Sequence, residues 1–155
     1  MFAQLNNRRG IALVVALFAM VVIAALVTGS FFAGHLEQQS GRNTVYGAQA
    51  LAAAEWGLSD VLAGADLERV QAMPVGGGPL DLGTATAGAG LTMTRLIVRL
   101  TSVVFLVRST GTRRNADGGV LATRTLGLLV QLLPAGEAAL PRLAALPERA
   151  WIQLW

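Results

Sequence analysis

Between Arg9 and His35 the chain carries no ionisable side chain. The stretch IALVVALFAMVVIAALVTGSFFAG, residues 11–34, is apolar on every face a helix could present. A core helix of a soluble domain shows a polar stripe where it meets water, and no such stripe begins before His35 and Glu37. Twenty-four residues at 1.5 Å each reach about 36 Å, enough to cross a hydrocarbon layer of about 30 Å with some tilt. The expectation is a membrane span. Arg8 and Arg9 stand directly before it, so the positive-inside bias places the short N-terminus in the cytoplasm and the residues after 34 in the periplasm or outside.

Composition narrows what the rest can be. A chain of 155 residues holds one modest folded unit, and 54% hydrophobic against 14% charged residues excludes disorder of the whole. Without cysteine there is no disulfide, thiolate metal site, iron-sulfur ligation or cysteine nucleophile. The single imidazole, His35, makes no His-rich metal site and lies at the edge of the span. All 12 basic residues are arginines, set against 9 acids for a net charge of +3, and they are scattered along the chain, which reads as solvated surface and compositional bias. Only the turn at Arg113-Arg114-Asn115 concentrates charge outside the N-terminus, and no aromatic platform accompanies it. It reads as a hairpin tip, and no nucleic-acid partner is expected.

Chemistry is equally sparse. The run Gly76-Gly77-Gly78 invites a phosphate loop, but a chain without lysine cannot contain GxxxxGK[ST]. Asp66 and Glu68 are two apart and point to different faces of a helix. Ser102 and Ser109 stand in strand-like sequence without a nucleophile elbow. The expectation is no enzyme, no cofactor, no metal and no small-molecule substrate.

Beyond the span, residues 35–63 continue the helix: Ala48, Leu51, Ala52, Leu58, Val61 and Leu62 recur at three- and four-residue spacings, and Gly41, Gly47 and Gly57 mark expected kinks. Residues 64–90 are rich in glycine, with Pro74 and Pro79, and read as a loop. From Leu91 the period becomes two, and three antiparallel strands are expected over 91–133, the last carrying Val120, Ala122, Leu126, Leu128, Val130 and Leu132 on one face. Residues 134–155 form an apolar tail ending WIQLW. It completes the chain's own core, docks on a partner or is the end of a truncated or frame-shifted reading frame. The fold class is α+β: a long N-terminal helix on a small antiparallel sheet.

Two processing routes suit the N-terminus. A signal peptide would be cut near Ser30 or Ala33, although the apolar run exceeds the usual 7 to 15 residues. The other starts from where hydrophobicity begins, immediately after Arg8-Arg9-Gly10. A basic leader of residues 1–10, a glycine and an abrupt apolar helix resemble the type III signal of type IV pilins and pseudopilins. Arg42-Asn43 and the run Gln49 to Leu58, with its AAEWGL, are similar to the N-terminal region of PilX-type minor pilins, so the resemblance covers roughly residues 8–62. It implies cleavage between Gly10 and Ile11 by a prepilin peptidase, an inner-membrane subunit with a periplasmic head, and other pilins as partners.

In major pilins the first mature residue is Phe and the fifth Glu, and here Ile11 and Val15 take those places. The family's glutamate offsets the N-terminal ammonium of a neighbouring subunit, because an unpaired charge in the filament core is costly. A subunit with nothing above it needs no such glutamate. By resemblance to the K-type pseudopilin, Val15 therefore implies filament initiation or a tip position, and Glu55 a carboxylate facing a neighbouring subunit. The alternative is an uncleaved, single-pass anchored binding module.

Overall fold

The computed structural model of the chain describes the backbone of residues 3–134, 141–146 and 151–154, and the side chains of 11–134, 141–146 and 152. Two compact units divide at Arg42 and Asn43. Helix α1 (Ala3–Gly64) supplies the described residues of the first unit and the opening of the second.

In the first unit every described side chain from Ile11 to Arg42 is exposed, Phe18, Met20 and Phe31 by 70% or more. The helix is long and apolar enough to cross a membrane. The two hydroxyl side chains within residues 11–34 are satisfied from within. Thr28 Oγ1 donates to the Ala24 carbonyl at 2.8 Å and Ser30 Oγ to that of Leu26 at 3.0 Å, so neither needs water.

The second unit is a six-stranded antiparallel sheet with the last turns of α1 packed on one face. Strands β1 (Leu80–Gly88), β2 (Leu91–Arg99), β3 (Val104–Arg114) and β4 (Val120–Leu133) follow one another as neighbours, while β5 (Arg142–Ala145) and β6 (Trp151–Leu154) both pair with β4. The register places Ile97 opposite Val107 and Val107 opposite Leu128, and these three turn toward the helix. Phe105 and Val130 join them, meeting Ala54, Leu58 and Val61 of α1, Val70 of the short helix α2 (Leu67–Gln71) and Leu143 of β5. Each large side chain buried here is worth about 1.5 to 3 kcal/mol in apolar area removed from water.

Helix and sheet approach closely because small residues face each other. A Cβ placed on Gly57 would stand 2.2 Å from Ser109 Oγ, and one on Gly111 would stand 2.0 Å from the carbonyl oxygen of Ala50. Ala50, Ala53 and Ala54 are buried in the same contact. Gly47 and Gly57 therefore mark the sheet-facing side of α1, which passes through them as one helix. The expected sheet-facing positions need the same correction: Ala48 and Ala52 point to solvent, and Ala50, Ala53 and Ala54 take their place. At the end of the helix Arg95 of β2 pairs with Asp60 and donates to the Leu82 carbonyl. With Asp60 half exposed, the ion pair is worth no more than about 1 kcal/mol.

The sheet is wider than the three strands expected: β1 adds one edge, and β5 and β6 lie end to end along the other. Residues 64–90, read as a loop, contain α2 and β1. Asp66 caps α2, its carboxylate accepting from the Arg69 amide at 3.3 Å. In β1 the glycines that argued for a loop sit at irregularities of pairing: the register shifts between Asp81 and Gly83 and again between Thr86 and Gly88. Gly83 has a φ of 87°, and its amide donates to the Asp81 side chain at 2.7 Å. Bulges of this kind twist an edge strand away from unwanted pairing. The described parts of 134–155 also belong to the sheet, since β5 and β6 cover the free edge of β4 and Leu143 enters the core.

Arg99 fastens the connections at one end of the sheet. One guanidinium nitrogen donates to the carbonyls of Gln71 (2.6 Å) and Met73 (2.8 Å), Nε to Thr101 and the other terminal nitrogen to Ser102, with the group lying over the Phe105 ring. Arg99→Ala should cost about 2 to 3 kcal/mol, the scale of losing charge-assisted hydrogen bonds to partly buried carbonyls. Hydrogen exchange should show the Gly76 and Leu100 amides losing protection before those of β3. Unchanged protection there would contradict this role.

Candidate assembly surface

The residues singled out for processing lie at the start of α1. Arg8, Arg9 and Gly10 belong to the helix, and their side chains lie outside the described residues. A peptide enters a protease cleft extended, so cleavage after Gly10 requires the opening turns of the helix to unwind. Glycine is where that costs least, being about 1 kcal/mol less favourable in a helix than alanine.

Ile11 and Val15 stand one turn apart and are each 61% exposed. No charged group accompanies Val15 on the described turns that follow it, down to His35 and Glu37. A helix of this kind is matched by lipid or by other apolar helices. Ala12, Ala16, Ala19, Ala24 and Ala25 keep parts of its surface thin enough for close approach.

Glu55 belongs to the second unit, on the side of α1 turned away from the sheet. Its side chain is exposed, and among the described residues no cation pairs with it. Beside it stands Trp56, 53% exposed despite being the largest side chain of the segment. Val45, Ala48, Ala52 and Trp56 recur at three- and four-residue steps and form an apolar stripe facing solvent, with Glu55 at its margin. Tryptophan is enriched at the energetic centres of interfaces, where one large ring removes much area from water at small entropic cost. The three- and four-residue spacing alone puts Ala48 and Ala52 with the buried positions and does not single out Trp56. What could have found the stripe is the four-residue step from Ala52 to Trp56, read against Gly57 and Leu58 as the buried side.

The arginine turn is the exposed hairpin tip expected, with Arg114 to Gly119 open to solvent, and its arginines also bond to nearby turns. β3 runs through Arg113 and Arg114, and the turn itself is Asn115–Gly118, closed by the Asn115 side chain accepting from the Gly119 amide at 2.6 Å. Arg113 donates to the Ala89 carbonyl and Arg114 to that of Gly118. Both guanidinium groups are engaged in tying the β1–β2 and β3–β4 turns. Among the described residues no three His, Asp or Glu side chains gather as a metal site would require. Comparison with protein-family models, with curated proteins and with solved structures finds no match for the chain.

Proposed function

We propose that the chain is a minor pilin or pseudopilin-like subunit of a type IV pilus or a type II secretion filament, cut by a prepilin peptidase between Gly10 and Ile11. The observation that carries the reading is α1: its apolar residues from Ile11 onward stand exposed, and its final turns pack on an antiparallel sheet. Such a helix serves first as an inner-membrane anchor, with the N-terminus cytoplasmic and the head periplasmic. After cleavage the same surface packs against the helices of other subunits, where close contact between small residues replaces contact with lipid.

Val15 gives the subunit its place. A new N-terminus at Ile11 carries an ammonium group, and a filament core without a carboxylate at the fifth position has nothing to offset a neighbour's charge. The subunit is therefore suited to initiation or to the tip. Trp56 and Glu55 offer the head a lateral contact. No catalytic role is assigned to any residue.

The test is the mature N-terminus, read by mass spectrometry of membrane-extracted protein from cells with and without the peptidase. The expected product begins at Ile11, carries an N-methyl group, and is absent without the enzyme. An intact Met1 would leave a single-pass anchored binding module, and a start beyond Ser30 a secreted one. Either sinks the filament reading.

A further inference from the structure

The sheet face turned away from α1 carries an ordered block of threonines. Four neighbouring strands each contain a Thr-x-Thr triplet: Thr84 and Thr86 in β1, Thr92 and Thr94 in β2, Thr110 and Thr112 in β3, Thr123 and Thr125 in β4. Their registers coincide. Thr84 pairs with Thr94, Thr94 with Thr110 and Thr110 with Thr125, while Thr86 pairs with Thr92, Thr92 with Thr112 and Thr112 with Thr123. The result is two parallel rows of four, which use eight of the chain's 11 threonines. The residues between them, Ala85, Met93, Gly111 and Arg124, lie on the helix side, so all eight face outward, exposed or half-buried.

Strand propensity alone explains threonine on an exposed sheet, and a cross-strand Thr pair adds about 0.2 to 1 kcal/mol. Neither calls for every member of four strands to meet its like in two successive rows. The block bears no charge and no aromatic ring. The next row on the same face, Leu96, Arg108 and Gly127, ends it with an exposed arginine. Nucleic acid would require a run of charge, which the block lacks.

The repeat of the block defines what it fits. Neighbouring strands stand about 4.8 Å apart, and alternate residues of a strand about 6.6 Å. Tetrahedral water with oxygens about 2.75 Å apart places second neighbours about 4.5 Å apart, and stacks its layers with a repeat of about 7.4 Å. The mismatch of about 0.8 Å along the strand is met only once, because the block is two rows deep. Across the strands about 0.3 Å is added at each step. Strand twist of roughly 20 to 25° per neighbour, acting over a half-width of about 3.3 Å, lifts threonines out of plane by about 0.6 Å on β2 and β3 and about 2 Å on β1 and β4. The central strands therefore carry the closest match. Hydroxyl bonds between Thr84 and Thr94 at 2.9 Å and between Thr110 and Thr125 at 3.0 Å order side chains in both halves of the row.

We infer that this threonine block binds the surface of ice, its methyl and hydroxyl groups holding first-layer water in a crystal-like spacing. The inference is independent of how the N-terminus is processed, and the narrow block suits adsorption to growing crystals.

The full chain is incorporated in lipid nanodiscs, a polycrystalline ice shell is grown slowly in the solution, and the protein fraction taken into the ice is compared with that of empty discs. The wild type is expected in the ice fraction well above the empty discs. Thr94→Lys with Thr110→Lys should fall to the empty-disc level. Val75→Lys, an exposed position in the connection before β1, should partition as wild type. Circular dichroism of each variant reports the fold, and Thr110→Lys alone serves if the double variant unfolds. A wild type that stays with the empty discs, or a folded lysine variant that partitions undiminished, overturns the inference. So does a block whose substitution only separates a dimer, since the face would then be a contact between copies.

Discussion

Replacing Gly111 by valine should lower the thermal midpoint of the second unit by on the order of 10 to 20 °C, the largest stability effect expected from one substitution. The position has no room for even a methyl group: its Cβ would stand 2.0 Å from the Ala50 carbonyl oxygen and 2.6 Å from the Ala54 amide nitrogen. Both are backbone atoms of α1, which move only if the whole helix lifts from the sheet. Overpacking against a side chain that can turn aside typically costs 1 to 3 kcal/mol, and here about 3 kcal/mol or more is expected. Lifting α1 also loosens Leu58 and Val61 against Ile97 and Val107, so the loss spreads through the core. A domain of this size shifts by roughly 4 to 8 °C per kcal/mol, which sets the expected range. Thr112→Val, one residue along on the opposite face, should stay within about 0.5 kcal/mol of the wild type. Melting curves followed by circular dichroism on the detergent-extracted chain decide it, and equal midpoints for the two variants would show that helix and sheet are not pressed together at Gly111.

That contact also shows where the fold was legible in the sequence and where it was not. Helix α1 could be read because hydropathy is unbroken over residues 11–34 and a polar face appears after it. The side of α1 that meets the sheet was harder, because alanine at 48, 50, 52, 53 and 54 carries almost no directional signal. Only the glycines opposite Ser109 and Arg124 resolve it. Strands β2 to β4 announced themselves by period two. β1 did not, since Gly83 and Gly88 carry a loop signal in the sequence while they sit at irregularities of strand pairing. β5 and β6 are four residues each, too short for a period to emerge between prolines. In β2 the helix-facing side mixes Met93 and Ile97 with Arg95 and Arg99, while Leu96 and Val98 face the other way, so alternation alone could not choose the buried face. Of the candidate assembly surface, Ile11, Val15 and Glu55 could be named from the sequence and stand exposed, whereas Trp56 is defined by the tertiary packing that leaves it outside. The threonine rows were invisible because each depends on registers between strands, one of which was not expected.

A single arginine in the middle of the apolar segment should leave the chain anchored, and two should release it. Residues 11–34 contain 13 Leu, Ile, Val or Phe side chains, each favouring insertion by about 0.3 to 0.6 kcal/mol near the centre, roughly 4 to 8 kcal/mol together. One Ile-to-Arg change at the centre costs about 3 to 4 kcal/mol, within that reserve, and the long side chain recovers part of it by reaching toward the interface. Ile23→Arg should therefore still sediment with membranes and resist carbonate extraction. Adding Val22→Arg brings the cost to about 6 to 8 kcal/mol and exhausts the reserve. The double variant should then appear in the carbonate-soluble or degraded fraction, with any product beginning at Ile11 lost as well, because a cut on the cytoplasmic side needs the segment held in the bilayer. If the segment served only as a solvent-exposed helix of a soluble protein, two added charges would leave it as soluble as before and change nothing in the membrane fraction. The pair of variants thus separates spanning from mere hydrophobicity, and the difference between one arginine and two measures the surplus by which this sequence commits to the membrane.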